Sequence, residues 1–189
     1  LQQRYPGRKY IAGGQQFYQK PIGCDVMLFG YAELAVERTI AWLFDGGEQP
    51  LGHRPVHLGG GLLIDCNASY PAMGLGDYGI TYRRDDYIQP FELLTVELSR
   101  GCKFRCKYCN YAFLGVKEDT STARELLRSE LMHNYTQWGT TNYILADDTL
   151  NDRISKLEML ADVVESLPFE PNFASFIRID LVASKPAQM

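Results

Sequence analysis

The chain has 189 residues, a formal net charge of −4 at pH 7 and a hydrophobic fraction of 46%. This composition argues against extensive disorder, and no apolar run approaches the ~18 residues that a membrane-spanning helix needs. The negative net charge gives no general electrostatic argument for nucleic-acid binding.

The first predicted elements alternate between strand and helix. Residues 8–12 and 25–29 have the length and apolar character of strands. A helix is predicted over 33–44, where Gly46 and Gly47 stop it. Because strand, glycine-rich turn and helix in this order are typical of parallel sheets, residues 1–47 predict part of an α/β domain.

Residues 48–90 are rich in glycine and proline and interrupt this alternation. We interpret them as a linker. Within it, residues 56–58 and 62–64 could pair as a small hairpin around three glycines.

Alternation returns from residue 91 onward. The predicted strands are 93–98, 142–146 and 173–182. The helix between the first two begins at a Thr122-x-x-Glu125 capping box and stops at Gly139, and the next helix is capped by Asp152. This β-α-β-α-β order predicts a parallel sheet with right-handed crossovers.

Three cysteines follow the first of these strands with the spacing C-x3-C-x2-C: Cys102, Cys106 and Cys109. Three thiolates on one tight loop can bind a metal centre, and three ligands leave one metal position open for chemistry. A structural zinc site completed by a distant ligand is the alternative. The distant ligands in question are Cys66, His57 and His133.

The stretch 97–109, Glu-Leu-Ser-Arg-Gly-Cys through Cys109, resembles the radical S-adenosylmethionine (radical SAM) superfamily. The resemblance implies a 4Fe-4S cluster held by Cys102, Cys106 and Cys109, with the fourth iron binding S-adenosylmethionine. Electron transfer would cleave that cofactor to methionine and a 5′-deoxyadenosyl radical. Tyr108 matches the aromatic residue that lies near the adenine. The implied partners are a reductant such as flavodoxin or ferredoxin and an unidentified substrate.

The resemblance also implies cofactor contacts at the carboxyl ends of the strands. Where the family often has Gly-Gly-Glu, this chain has Ala-Asp-Asp. The expected contacts there are Ala146, Asp147, Asp148 and Thr149. Arg178 and Asp180 alternate with apolar residues along the third predicted strand, so we expect both on one face of it as further contacts to cofactor or substrate. Two structural alternatives stand beside them: Asp148 or Thr149 starts the next turn, and Arg178 and Asp180 form an ion pair.

The Asp147-Asp148 pair looks like the branch of the superfamily that carries a cobalamin-binding domain ahead of the barrel. Residues 10–14 and 24–33 resemble the last third of such a Rossmann-like domain, in which Gly13 and Gly14 allow close approach of the cofactor. The cobalt-ligand motif Asp-x-His-x-x-Gly is not present in the chain. Cobalamin is therefore a further candidate cofactor.

We therefore expect an α/β fold in three parts. Residues 1–47 would be the C-terminal part of a Rossmann-like, cobalamin-binding-type domain, 48–90 a linker, and 91–189 the first three βα units of a partial radical SAM (β/α) barrel. Because a complete barrel needs about 200 residues or more, the chain is expected to be a fragment whose third barrel strand has an unpaired edge.

The predicted function is that of a cytoplasmic radical SAM enzyme with an unidentified substrate. Methyl transfer, methylthio transfer and other radical modifications all occur among the proteins that it resembles. Two alternatives from other classes stand beside this one: a zinc-binding structural module, and an inactive remnant that keeps an iron–sulfur cluster.

Overall fold

The computed structural model describes residues 4–13, 24–50, 62–66, 75, 79–109 and 120–184. The chain divides into two compact units, residues 1–73 with 106–115 and residues 74–105 with 116–189. Small parallel sheets and four helices lie within the described residues, so the predicted mixed α/β fold is confirmed. Among the described helices, none is both long and apolar enough to cross a membrane.

The first unit contains a parallel sheet of three short strands: β1 (Ile11–Gly13), β2 (Val26–Phe29) and β3 (Leu62–Asp65). The strands lie in the order β1-β2-β3. Every residue of β2 is buried, so the central strand is covered on both faces. Burial on both faces is what its uninterrupted apolar sequence predicts for a parallel sheet.

Helix α1 (Glu33–Asp45) follows β2 and nearly matches the predicted helix 33–44. Its end lies at Gly46, whose φ of 69° is left-handed and favours glycine. On its buried face, Thr39 donates its hydroxyl hydrogen to the Ala35 carbonyl at 2.6 Å. Together with Val26 and Ile64, this face of α1 closes one side of the sheet.

Two predictions for this unit need correction. Strand β1 begins at Ile11 and not at residue 8. Residues 62–64, expected in a hairpin within the linker, instead belong to β3, which pairs with β2 in parallel. The reason is burial, because Leu63 and Ile64 pack into the apolar clusters on the two faces of β2, whereas an isolated hairpin is marginal in water. Gly14 and residues 56–58 lie outside the described residues.

Within the described residues, the second unit contains five short strands and three helices. The strands are β4 (Leu94–Val96), β5 (Ser99–Arg100), β6 (Thr120–Ser121), β7 (Asn142–Leu145) and β8 (Asn172–Ala174). The helices are α2 (Arg124–Trp138), α3 (Ile154–Glu165) and α4 (Ile179–Ser184). Strands β4, β7 and β8 form a parallel sheet in that order, and β5 pairs with β6 in antiparallel fashion. Single 3-10 turns occur at Arg84–Asp86 and Leu150–Asp152.

The core of the second unit lies between this sheet and helices α2 and α3. Its fully covered members include Val96, Leu127, Leu131, Leu145 and Val163. Tyr143 is also buried, and its hydroxyl donates to the Thr140 carbonyl at 3.0 Å. Burial raises the pKa of Tyr143 to about 12, so the phenol stays neutral in the core.

Both predicted helix caps are wrong, although the stop of α2 at Gly139 is confirmed by a φ of 67°. Among the described residues, no side chain caps α2 or α3, whose N-cap positions are Ala123 and Arg153. Thr122 is buried and its amide bonds to the Leu98 carbonyl at 2.8 Å, which commits it to the neighbouring strand end. Asp152 uses its carboxylate in an ion pair, as described below.

The third predicted strand of this sheet is also much shorter than 173–182. Strand β8 ends at Ala174, and α4 already begins at Ile179. Arg178 and Asp180 therefore do not share the face of a strand. Phe176 and Ile177 lie between these elements and are exposed.

Glu130 is a buried carboxylate on α2. Burial is the main reason that its pKa rises from 4.5 to about 7; a backbone hydrogen bond at Ile80 opposes the rise and the charge of Glu97 adds to it. The folded chain therefore holds this proton more tightly than the unfolded chain does. Folding stability therefore falls as pH rises from about 4.5 through about 7.

We expect Glu130→Gln to remove most of this pH dependence. At pH 8 the variant should gain on the order of 1–2 kcal/mol over the unsubstituted chain, a value discounted for the solvent that still reaches the carboxylate. Urea unfolding at pH 5 and pH 8 measures the difference. Glu125→Gln, on the exposed face of the same helix, is the control. Equal pH slopes in the Glu130→Gln variant and the unsubstituted chain would contradict the assignment.

Candidate functional site

The carboxyl ends of β4 and β7 lie side by side in the second unit. Their parallel register pairs Val96 with Leu145, and the Ala146 amide donates to the Val96 carbonyl at 2.9 Å. The segments that follow the two strands, 97–105 and 146–152, therefore leave the sheet at the same edge. This is the edge at which open α/β sheets bind ligands.

Asp147 joins these two segments. Its side chain is fully buried, and its Oδ2 accepts the Leu98 amide hydrogen at 3.1 Å. Its Oδ1 accepts the hydroxyl hydrogen of Ser99. A carboxylate that bonds both a backbone amide and a hydroxyl in this way holds residues 98 and 99, which follow β4, against the segment that follows β7.

Lys156, in the first turn of α3, directs its ammonium toward the Ser99 and Asp147 side chains. Its ammonium donates to the Ser99 hydroxyl oxygen at 2.8 Å and to the Thr149 carbonyl at 3.0 Å. It also lies 2.8 Å from Oδ1 of Asp152 and 3.6 Å from Oδ1 of Asp147. We call Ser99, Asp147, Thr149, Asp152 and Lys156 the Lys156 cluster.

The charged side chains of the Lys156 cluster are almost fully withdrawn from water. The Lys156 side chain is 2% exposed, that of Asp152 3% and that of Asp147 0%. Removing an ammonium and two carboxylates from water costs several kcal/mol per ion, which their mutual attraction offsets when the contacts are this close. The cluster therefore stabilises one arrangement of the strand ends and penalises any change that leaves one charge unpaired.

The cysteine loop begins directly against this cluster. The half-buried Cys102 thiol lies 4.0 Å from the Thr149 hydroxyl oxygen, and the Lys103 ammonium donates to the Asp152 carbonyl. The next residue, Phe104, packs its ring under the Arg178 guanidinium, with 3.9 Å between the guanidinium carbon and the ring centroid. Cys102 and Lys103 thus contact the segment that follows β7, and Phe104 contacts the segment that follows β8.

Cys106, Tyr108 and Cys109 are described with the first unit, because the division between the units passes between Arg105 and Cys106. The Cys109 amide donates to the Cys106 carbonyl at 3.1 Å, which closes a turn. Tyr108 is 90% exposed. Cys102, Cys106 and Cys109 are all half-buried cysteines, and their sulfur donors fit a metal or iron–sulfur centre. Within the described part of the chain, no group of three or more His, Cys, Asp or Glu side chains is placed to hold a metal ion.

The other predicted contacts divide between the Lys156 cluster and the surface. Asp147 and Thr149 belong to the cluster, whereas Ala146 and Asp148 are exposed. The Thr149 hydroxyl donates to the Asp148 carbonyl at 2.8 Å. Gly13 is the last residue of β1 in the first unit.

Arg178 and Asp180 adopt the structural alternative, an ion pair of 2.8 Å. The hydrogen bond from Arg178 lowers the pKa of Asp180. Arg178 is further held by Asn151, whose side-chain oxygen accepts the Arg178 amide at 2.8 Å and whose side-chain amide donates to the Arg178 carbonyl at 3.0 Å. These contacts tie the segment after β8 to the segment after β7.

Sequence reasoning missed Lys156, Ser99 and Asn151. One signal could have found Lys156, because Asp152 and Lys156 stand four residues apart at a helix start, the spacing of an ion pair on one helix face. A lysine between the apolar positions of that helix also needs a buried partner. Ser99 and Asn151 carry no such local signal.

Among known proteins, the chain matches no protein-family model, no curated protein and no solved structure.

We expect Lys156→Met to cost about 3–5 kcal/mol of unfolding free energy, because it removes the ammonium that lies against the buried Asp147 and Asp152 carboxylates. The half-exposed Arg153, 3.9 Å from Asp152, is a weak substitute for it. Urea unfolding measures the loss. Arg124→Met is the matched control: its ion pair with Asp162 spans 3.2 Å, but both side chains are about half exposed, so the cost should stay below about 1 kcal/mol. Similar small losses in both variants would show that the cluster contributes little.

Proposed function

We propose that this chain forms the cluster-binding part of a radical SAM enzyme. The observation that carries the proposal is the spacing of Cys102, Cys106 and Cys109 on a loop that leaves the first strand of a parallel sheet. The sheet order β4-β7-β8, with α2 and α3 between successive strands, supports it, since this is how βα units build a barrel wall.

The proposed roles of the residues follow from their chemistry. Cys102, Cys106 and Cys109 would hold a 4Fe-4S cluster through their thiolates and leave one iron open. Such a cluster supplies the electron for reductive cleavage of S-adenosylmethionine. Residues 100–117 contain five cations and no acid, and cations close to a thiol favour its thiolate form.

We place the contacts to S-adenosylmethionine at the exposed carboxyl ends of the strands, near the proposed 4Fe-4S cluster. Asp148 is exposed at the end of β7, and Ala146 lies beside it. Asp147 is a weaker candidate for a direct contact, because Leu98 and Ser99 occupy its oxygens in the interior. Arg178 and Asp180 would contact the cofactor as an ion pair.

Cobalamin is a second proposed cofactor, for the first unit. The support is the parallel sheet β1-β2-β3 with Gly13 at the end of β1. A Cβ at Gly13 would lie 3.7 Å from the Leu28 carbonyl oxygen, an ordinary contact. Packing inside the sheet therefore does not explain why residue 13 is glycine, and we propose that this glycine allows close approach of a ligand. An absorbance titration with hydroxocobalamin tests this proposal separately.

Anaerobic reconstitution of the chain with iron and sulfide tests the main proposal. We expect about four irons per chain, a reducible cluster by electron paramagnetic resonance, and formation of 5′-deoxyadenosine when S-adenosylmethionine and dithionite are added. A chain that binds zinc without colour would support the zinc module instead. A reducible cluster without cleavage would support the inactive remnant.

Cys106→Ala should lose most of its iron and all cleavage, because two thiolates cannot replace three. Cys66→Ala is the matched control. Burial raises the pKa of Cys66 to about 11, so this thiol stays protonated and is a poor metal ligand at neutral pH. Full iron content and full cleavage in the Cys106→Ala variant would overturn the assignment of the cluster ligands.

A further inference from the structure

We propose that Lys156 is a positioning residue for Cys102. This inference rests on the proposed function, in which Cys102 is a cluster ligand. Lys156 does not contact the thiol itself. It acts through Ser99, Thr149 and Asp152, each of which holds the loop at or beside Cys102.

The first connection runs through Ser99, which stands three residues before Cys102. The Lys156 ammonium donates to its hydroxyl oxygen, and that hydroxyl donates onward to Asp147. Donor and acceptor capacity are both used, so the Ser99 side chain has one orientation. The chain therefore enters the cysteine loop from a fixed point.

The second connection runs through Thr149, which has two different contacts. Its carbonyl accepts from Lys156 at 3.0 Å, while its hydroxyl oxygen lies 4.0 Å from the Cys102 sulfur. The hydroxyl hydrogen of Thr149 is already donated to the Asp148 carbonyl, so its oxygen faces the thiol as an acceptor. Fixing the Thr149 backbone therefore fixes a polar group that lies 4.0 Å from the Cys102 sulfur.

The third connection runs through Asp152. Its carboxylate lies 2.8 Å from the Lys156 ammonium, and its carbonyl accepts a hydrogen bond from Lys103, the residue directly after Cys102. The loop is consequently held on both sides of the cysteine, at Ser99 and at Lys103. A ligand held in this way loses less conformational entropy when it binds a metal centre.

Charge explains why a lysine is suited to this position. Two carboxylates of the segment that follows β7, Asp147 and Asp152, lie close to one buried ammonium. An ammonium carries three donors and one positive charge, and here it meets two neutral oxygens and two carboxylates. A neutral side chain of similar length could fill the space but could not hold the segments after β4 and β7 together.

Hydrogen exchange with mass spectrometry on the chain, purified without added iron, tests the inference. The main variant is Lys103→Met, which removes the hydrogen bond from Lys103 to the Asp152 carbonyl and leaves the Lys156 cluster intact. We expect exchange at amides 101–105 to become about tenfold faster, with α2 unchanged within about twofold. Lys107→Met is the matched control, with the same change of charge in the same loop, and should leave amides 101–105 unchanged. Equal behaviour of the two variants would overturn the inference.

Lys156→Met provides the second comparison, at a temperature at which circular dichroism shows the variant to be folded. Positioning predicts that exchange rises more in 98–105 and 147–152 than in α2. A uniform rise across α2 and these segments would mean general destabilisation and would overturn the inference.

Reconstitution separates this inference from the proposed function. If the unsubstituted chain binds no iron, the proposed function fails, while the exchange data still decide whether Lys156 positions the loop. If the chain binds iron, Lys103→Met should release it to a chelator about threefold faster than Lys107→Met. Equal release rates of iron in these two variants would overturn the positioning role, while the three cysteines would still stand as the proposed ligands of the 4Fe-4S cluster.

Discussion

A buried ammonium must be surrounded by oxygen, and in this protein Lys156 obtains its oxygens from two separate segments. Ser99 follows β4, and Asp147, Thr149 and Asp152 follow β7, while the lysine itself belongs to α3. Because an unpaired buried charge costs several kcal/mol, these elements can form only together. The geometry of the strand ends, and of the loop that carries Cys102, depends on this requirement.

The two parallel sheets among the described residues provide different environments for cysteine sulfur. In the first unit, apolar packing on both faces of β2 buries Cys24 and Cys66, and burial raises the pKa of both thiols. In the second unit, Cys102 lies at the edge of the sheet, half-buried and beside a hydroxyl group. A thiol in the first setting acts as a small apolar side chain, whereas Cys102 keeps the partial exposure that the proposed function requires of a ligand.

Sequence patterns gave correct predictions where a single physical preference of one residue type decides where that residue lies. Gly46 and Gly139 end helices because left-handed backbone is inexpensive for glycine, and both helix ends were predicted correctly. The predicted caps Thr122 and Asp152 were wrong because α2 and α3 each begin one residue later, with Ala123 and Arg153 at the N-cap positions. The Thr122 amide bonds to the Leu98 carbonyl, and the Asp152 carboxylate pairs with Lys156 one turn along the chain.

The sequence by itself determined the α/β alternation, the helix stops and the three-cysteine loop after a strand, because periodicity, backbone preference and spacing are local properties. Tertiary structure alone decided that 62–65 joins the first sheet and that Ser99 and Lys156 meet, 57 residues apart. It also decided that Arg178 and Asp180 pair with each other. The reason is that a buried charge or a strand edge finds its partner among the groups that folding brings together. The distance between two groups along the chain does not indicate that they will meet.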